Sequence, residues 1–101
     1  VVDIPLVLHG GSSNPDAEIA EAVRVGIQKV NISSDYKHAF FAKAREILSQ
    51  PNSGWDPNNL FPECIEAGKQ VLKHKMELFD SVGKAALYRE AGIAQWRQKL
   101  N

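Results

Sequence analysis

Pro5-Leu6-Val7-Leu8-His9-Gly10-Gly11-Ser12-Ser13 is the stretch that decides how this chain folds. Leu6-Val7-Leu8 is a short, continuously apolar run, the pattern of a strand buried on both faces. A histidine closes the run, a Gly-Gly-Ser-Ser loop follows, and a helix start comes next. Asn14 is expected to cap that helix, with Pro15 at its first position and Asp16 and Glu18 in its first turn. Ile19, Ala20, Ala22 and Val23 supply the inward stripe, and Gly26 ends the helix.

The same design then repeats. Val30 and Ile32, preceded by Ile27, give a second strand that runs into Asn31-Ile32-Ser33-Ser34. Ser33 or Ser34 caps a second helix, with Asp35 in its first turn. Phe40, Phe41, Ala44, Ile47 and Leu48 form its apolar face up to about Ser49. His9 and Asn31 stand 22 positions apart, the spacing of one βα repeat in a parallel sheet. Residues 51–59 are dense in turn formers and read as a loop. A long helix is expected over about 60–81, with apolar residues at Ile65, Ala67, Val71, Leu72, Met76, Leu78 and Phe79, and with Gly83 stopping or kinking it. Residues 84–101 are expected to form a short exposed helix. The organisation is therefore two βα units over 1–50, a loop over 51–59, and a helical arm and tail over 60–101.

Composition excludes several function classes. The 101 residues are 44% hydrophobic and 24% charged, so the chain is globular rather than disordered. A formal net charge of zero argues against a nucleic-acid surface and against a polybasic membrane patch. No apolar run approaches the roughly 20 residues needed to span a bilayer. The single cysteine, Cys64, cannot form an internal disulfide and suits the reducing cytoplasm; on its helix it reads as a small packing residue. The chain opens almost in mid-strand and without a starting methionine, which leads us to expect a piece of a longer protein. Two strands alone neither close a barrel nor cover a sheet, so their apolar edges should be exposed.

The two strand-end loops carry the chemistry. Glycines let backbone N–H groups approach an anion closely, while Ser12, Ser33 and Ser34 add hydroxyl donors. Each loop feeds a helix N-terminus, whose unpaired N–H groups and dipole favour a phosphate. No lysine or arginine lies in either loop, so backbone and hydroxyl donors would do the binding. Consecutive loops of this kind suit the C-terminal rim of a (β/α)₈ barrel, where a phosphate site commonly follows strands 7 and 8. The alternative is a pair of ordinary βα turns whose serines only cap helices. His9 has three readings from its local context: a hydrogen bond to nearby backbone, an acid or base, or a metal ligand. His38 and His74, on helices among charged residues, read as solvated surface. The charged stripes Lys37, Lys43, Arg45 and Glu46, and Lys69, Lys73, Lys75 and Glu77, read as water-facing.

His-Gly-Gly-Ser followed about twenty residues on by Lys-Val-Asn-Ile resembles the C-terminal part of the class II, zinc-dependent ketose-bisphosphate aldolases, over about residues 4–85. The resemblance implies an α/β fold: strands 7 and 8 of a (β/α)₈ barrel with their helices, plus a C-terminal helical extension around Pro62 to Ala67. It implies that His9 is one of three histidines holding a single zinc ion. Gly10, Gly11 and Ser12 would bind a substrate phosphate. Asn31, Ile32, Ser33 and Ser34 would form the second substrate loop, with Asn31 near the reacting carbons and in the catalytic role. The implied reaction is aldol cleavage of a ketose 1,6-bisphosphate to dihydroxyacetone phosphate and glyceraldehyde 3-phosphate, with zinc stabilising the enediolate. A monovalent cation beside the phosphate is a second candidate cofactor. The implied setting is cytoplasmic carbohydrate metabolism, glycolysis included, in a homo-oligomer with no nucleic-acid or membrane partner. The family often has glycine where this chain has Ser13, a loop strained if that position needs positive φ. One branch carries an acidic residue where Ser33 stands, which tilts the expectation toward tagatose-type or other sugar-bisphosphate relatives. The competing function, of a different class, is a non-catalytic phosphate-binding barrel subunit that stabilises a partner aldolase.

Overall fold

The computed structural model describes residues 2–54 and 56–87. In chain order they form β1 (Val7–Leu8), a 3-10 turn (Gly11–Ser13), α1 (Asp16–Val25), β2 (Lys29–Val30), α2 (Ser34–Leu48) and α3 (Pro57–Leu78). The strands pair in parallel, Val7 with Lys29 and Leu8 with Val30. The amides of Lys29 and Asn31 donate to the carbonyls of Leu6 and Leu8, at 3.3 and 3.0 Å. The Gln28 side chain extends the ladder by accepting from the Leu6 amide at 2.7 Å. Pairing stops after Leu8 because Gly10 takes the left-handed backbone, φ 70°, which no extended strand contains. Ile32, expected within the second strand, lies beyond it.

The first helix begins one residue later than the sequence suggests. Pro15 stays extended at ψ 141°, and its carbonyl accepts from the amides of Glu18 and Ile19 at 3.0 and 3.2 Å. Asn14 therefore does not cap α1; its amide reaches back to the Gly10 carbonyl at 3.4 Å. Gly26 ends the helix as expected: at φ 123° it lets its own amide bond the Val23 carbonyl and the Ile27 amide bond that of Ala22. These two bonds are a Schellman turn.

The long helix runs over Pro57–Leu78 rather than 60–81. Asp56 Oδ1 accepts from the Asn58 amide at 2.9 Å with Pro57 at the first helical position, a start signal that lay inside the expected loop. Nor does Gly83 end it. Asp80 adopts φ 52°, and the amides of Asp80 and Ser81 bond the carbonyls of Glu77 and Met76 in a second Schellman turn. Aspartate tolerates the left-handed region better than most side chains, so the helix stops without glycine. Of the expected 84–101 helix only 84–87 are described; 85–87 are helical, with the Leu87 amide on the Lys84 carbonyl at 3.1 Å.

α2 packs along α3 through a stripe on the latter made of Leu60, Cys64, Ala67, Gly68, Val71, Lys75 and Leu78. Cys64 is fully buried, as a packing residue should be. A Cβ on Gly68 would overlap the Tyr36 ring, whose Cζ would lie only 2.7 Å away, so glycine is what lets that ring rest on the helix backbone. Phe41 and Leu48, expected on the apolar face of α2, are instead more than half exposed.

Lys75 overturns the reading of its stripe as water-facing. Its side chain is 9% exposed, and Nζ pairs with Asp16 Oδ1 at 3.0 Å and Asp35 Oδ2 at 3.1 Å. His74 stays exposed but donates its Nε2–H to Asp16 Oδ2 at 2.6 Å. One turn of α3 thus clamps the first residues of α1 and α2.

Candidate functional site

Parallel register brings the site together. Leu8 pairs with Val30, so the next residues, His9 and Asn31, emerge side by side at the strand ends. The Asn31 Nδ2–H donates to His9 Nδ1 at 3.0 Å. With that bond the ring proton sits on Nε2. If the amide turned over, Oδ1 would accept from Nδ1–H and leave the Nε2 lone pair for another partner.

Beside this pair the left-handed Gly10 curls the chain, so that its carbonyl accepts from the Ser13 amide at 3.2 Å and the Ser13 hydroxyl at 3.0 Å. Ser13 lies within the 3-10 turn, and the only non-glycine residue with positive φ among those described is Asp80. The expected strain at Ser13 is therefore absent. Gly11 is buried against β2: a Cβ there would stand 2.8 Å from Val30 Cγ1 and 3.1 Å from Ile32 Cδ1. The first loop can lie on the second only because Gly11 has no side chain. Ser12 then crosses over, its Oγ accepting the Asp35 amide of α2 at 3.3 Å. That hydroxyl satisfies one of the first-turn amides that a helix cannot pair internally, and keeps its own proton to donate elsewhere.

His9, Gly10, Ser12, Ser13, Asn31, Ser33 and Ser34 line one recess of about 390 Å³. The structure thus gathers His9, Gly10, Ser12, Asn31, Ser33 and Ser34 of the residues singled out from sequence. Gly11 and Ile32 are not on its wall; they pack against one another and carry it. Ser13 was missed, although a second hydroxyl directly after Gly-Gly-Ser was signal enough. Ser33 makes no side-chain cap to α2, which leaves its hydroxyl uncommitted to that helix. Among the described residues no lysine or arginine lines the recess. Its anion-binding capacity rests on hydroxyls, the Asn31 amide and the N-terminal end of α2.

Among the described residues no group of three or more His, Cys, Asp or Glu side chains could hold a metal. His9 is exposed at the strand end and fits as a single donor, not as a whole site. No described helix is long and apolar enough to cross a membrane.

The family described as fructose-bisphosphate aldolase class-II matches residues 1–84 of this sequence. The chain belongs to that family. A relative named 6-phospho-5-dehydro-2-deoxy-D-gluconate aldolase, from Bacillus licheniformis, is 41% identical over 93 residues, covering 92% of this chain and 32% of its own. The fructose-bisphosphate aldolase of Geobacillus stearothermophilus is 37% identical over 82% of this chain and 29% of its own. Among solved structures, the crystal structure of the YdjI aldolase from Escherichia coli K12 superposes with a TM-score of 0.72 at 38% identity, covering 83% of this chain and 30% of that one. The chain spans about a third of the length of the curated relatives it matches.

Proposed function

We propose that this chain supplies one zinc ligand and the phosphate rim of a class II aldolase, as strands 7 and 8 of a (β/α)₈ barrel and the helical arm that follows. The observation that carries the reading is the pairing of the exposed His9 imidazole with Asn31 on the wall of a hydroxyl-lined recess. The exposed apolar residues at the chain's start, Val2, Ile4, Leu6 and Val7, are what strands awaiting neighbours would present.

The relatives' names suggest the substrate. Fructose 1,6-bisphosphate and 6-phospho-5-dehydro-2-deoxy-D-gluconate share a ketone beside a phosphorylated carbon, so cleavage of either at the equivalent bond releases dihydroxyacetone phosphate. The recess would hold the phosphate of that common half. Ser12, Ser13, Ser33 and Ser34 would donate hydroxyls to it, and the α2 N-terminus would favour its charge. Asn31, with its amide turned so that Oδ1 accepts from His9 Nδ1–H, would orient the imidazole, leave Nε2 for the metal and reach the reacting carbons. The chemistry zinc supplies when bound is Lewis-acid withdrawal of charge from the ketone oxygen. A monovalent cation beside the phosphate, a cytoplasmic setting and a homo-oligomeric whole protein belong to the same proposal.

The decisive experiment uses the full-length protein loaded with zinc. Dihydroxyacetone phosphate should be released from fructose 1,6-bisphosphate, tagatose 1,6-bisphosphate or 6-phospho-5-dehydro-2-deoxy-D-gluconate, and release from none of the three would sink the reading in favour of a non-catalytic subunit. His9→Ala should lower zinc content well below one per chain and abolish turnover; full zinc occupancy would remove the ligand assignment. Ser12→Ala should raise KM for the phosphorylated substrate more than it lowers kcat.

A further inference from the structure

We propose that Lys75 is a positioning residue of the phosphate rim, fixing the first turns of α1 and α2 relative to one another and cancelling the carboxylates they carry. The inference rests on the phosphate reading above and adds a residue about 40 positions downstream of the second loop and about 65 downstream of the first.

Each rim loop is followed at once by an acidic residue. Asp16 opens α1 after the Gly-Gly-Ser-Ser turn, and Asp35 is the second residue of α2 after Ser33 and Ser34. Carboxylates suit a helix N-terminus, but beside a bound phosphate two of them compete for the same dipoles and repel the ligand. Among the described residues no lysine or arginine lines the recess to offset them. The compensating charge comes from α3. Lys75 is the one charged residue buried among those described, and its ammonium meets Asp16 at 3.0 Å and Asp35 at 3.1 Å. His74, one residue before it, holds the second oxygen of Asp16.

The same contact sets geometry. Asp35 is gripped by Lys75 through its carboxylate and by Ser12 through its amide, which donates to Oγ at 3.3 Å. Ser12 belongs to the first loop, Asp35 to the helix after the second, and Asp16 to the helix after the first. Lys75 therefore closes a chain of bonds around both halves of the rim. The ammonium is buried while the two carboxylates are partly exposed, so the lysine keeps its position only where both oxygens can reach it, and losing Asp16 or Asp35 leaves the buried charge with a single partner.

The test compares Lys75→Met, Lys75→Gln and Lys75→Arg in the full-length enzyme, reading KM, kcat, zinc content and the inhibition constant of inorganic phosphate. Lys75→Met should raise both KM and the phosphate inhibition constant about tenfold, a larger change than in kcat. Lys75→Arg, which restores charge and reach, should recover most of the loss. Should Lys75→Met fail to fold, Lys75→Gln keeps a polar head for the carboxylates without its charge and should show the same split. If both soluble variants keep wild-type KM and phosphate inhibition, or lose kcat and zinc in proportion with KM unchanged, Lys75 is structural only and the inference fails. If inorganic phosphate does not compete in the wild type and Ser12→Ala leaves KM unchanged, the phosphate reading itself fails, and this inference with it.

Discussion

At Gly10 and Gly11 two adjacent glycines serve different ends. Gly10 takes φ 70° and turns its carbonyl toward Ser13, whereas Gly11 is needed for space against Val30 and Ile32. Gly11→Ala would insert a methyl 2.8 Å from a β-branched side chain on a strand that cannot yield without losing its pairing. We expect it to cost about 1–3 kcal/mol, the usual range for overpacking. Urea titration of the full-length protein checks this, and an unchanged midpoint would mean that the loop does not rest on β2. From the sequence both glycines read as phosphate-approach residues. The distinction was invisible because it depends on what lies opposite, and Val30 and Ile32 are a full βα unit away. His9 and Asn31, by contrast, were legible: parallel register carries a strand-end residue to its neighbour's level whatever surrounds them.

Among the elements, α3 differs most from its expected form. Its start was written in Asp56 and Pro57, a cap followed by a first-position proline, but Pro51, Asn52, Ser53 and Gly54 made the whole segment read as loop. Its end depends on Asp80 in the left-handed region, which a search for glycine passes over. The face it presents to α2 was legible only in part: Ala67, Val71 and Leu78 were expected on it, but Ile65, Leu72 and Met76, read with them as apolar face, are exposed, and the inward stripe runs 4-3-4 through Cys64, Gly68, Val71 and Lys75. Gly68 is the point of closest approach. Gly68→Ala gains helix propensity of about 1 kcal/mol, yet its methyl would enter the Tyr36 ring. We expect the overlap to win, with a net loss of about 1–2 kcal/mol. A Gly68→Ala/Tyr36→Ala double variant should relieve that overlap, and additivity of the two losses would refute the contact.

For the molecule as a whole, the described chain is extended, with a radius of gyration of 18.4 Å against about 13 Å for a compact domain of 100 residues. Ile19 and Cys64 are its only large side chains with almost no exposure among those described. The apolar packing of α3 on α2 is supplemented by the polar clamp of His74 and Lys75, which also ties α3 to the first residue of α1. A hydrogen bond from His74, and then one from Lys75, hold the Asp16 carboxyl below its ordinary 3.8 despite partial desolvation. Burial works to lower Lys75, but its hydrogen bonds to Asp16 and Asp35 win, so its pKa lies above the ordinary 10.5. A carboxyl depressed in the folded state stabilises fully above pH 3.8, and that contribution fades as pH falls through the lower folded value. The lysine contributes fully below pH 10.5 and fades only as pH rises through its raised value. Stability conferred by this clamp should thus be flat from about pH 5 to 9 and fall at both extremes. Asp16→Asn should flatten the acid limb in denaturant titrations, and an acid limb identical to wild type would place the titrating group elsewhere. The sequence by itself determined the repeated strand–loop–helix unit, its parallel pairing and the polar residues on the rim, because hydrophobic period and strand register are local. Only the tertiary structure decided that Gly11 bears the second loop, that Ser12 caps a helix not its own, and that Lys75 is buried between two carboxylates. Those outcomes depend on which surfaces meet across the chain, and no spacing within a single element encodes that.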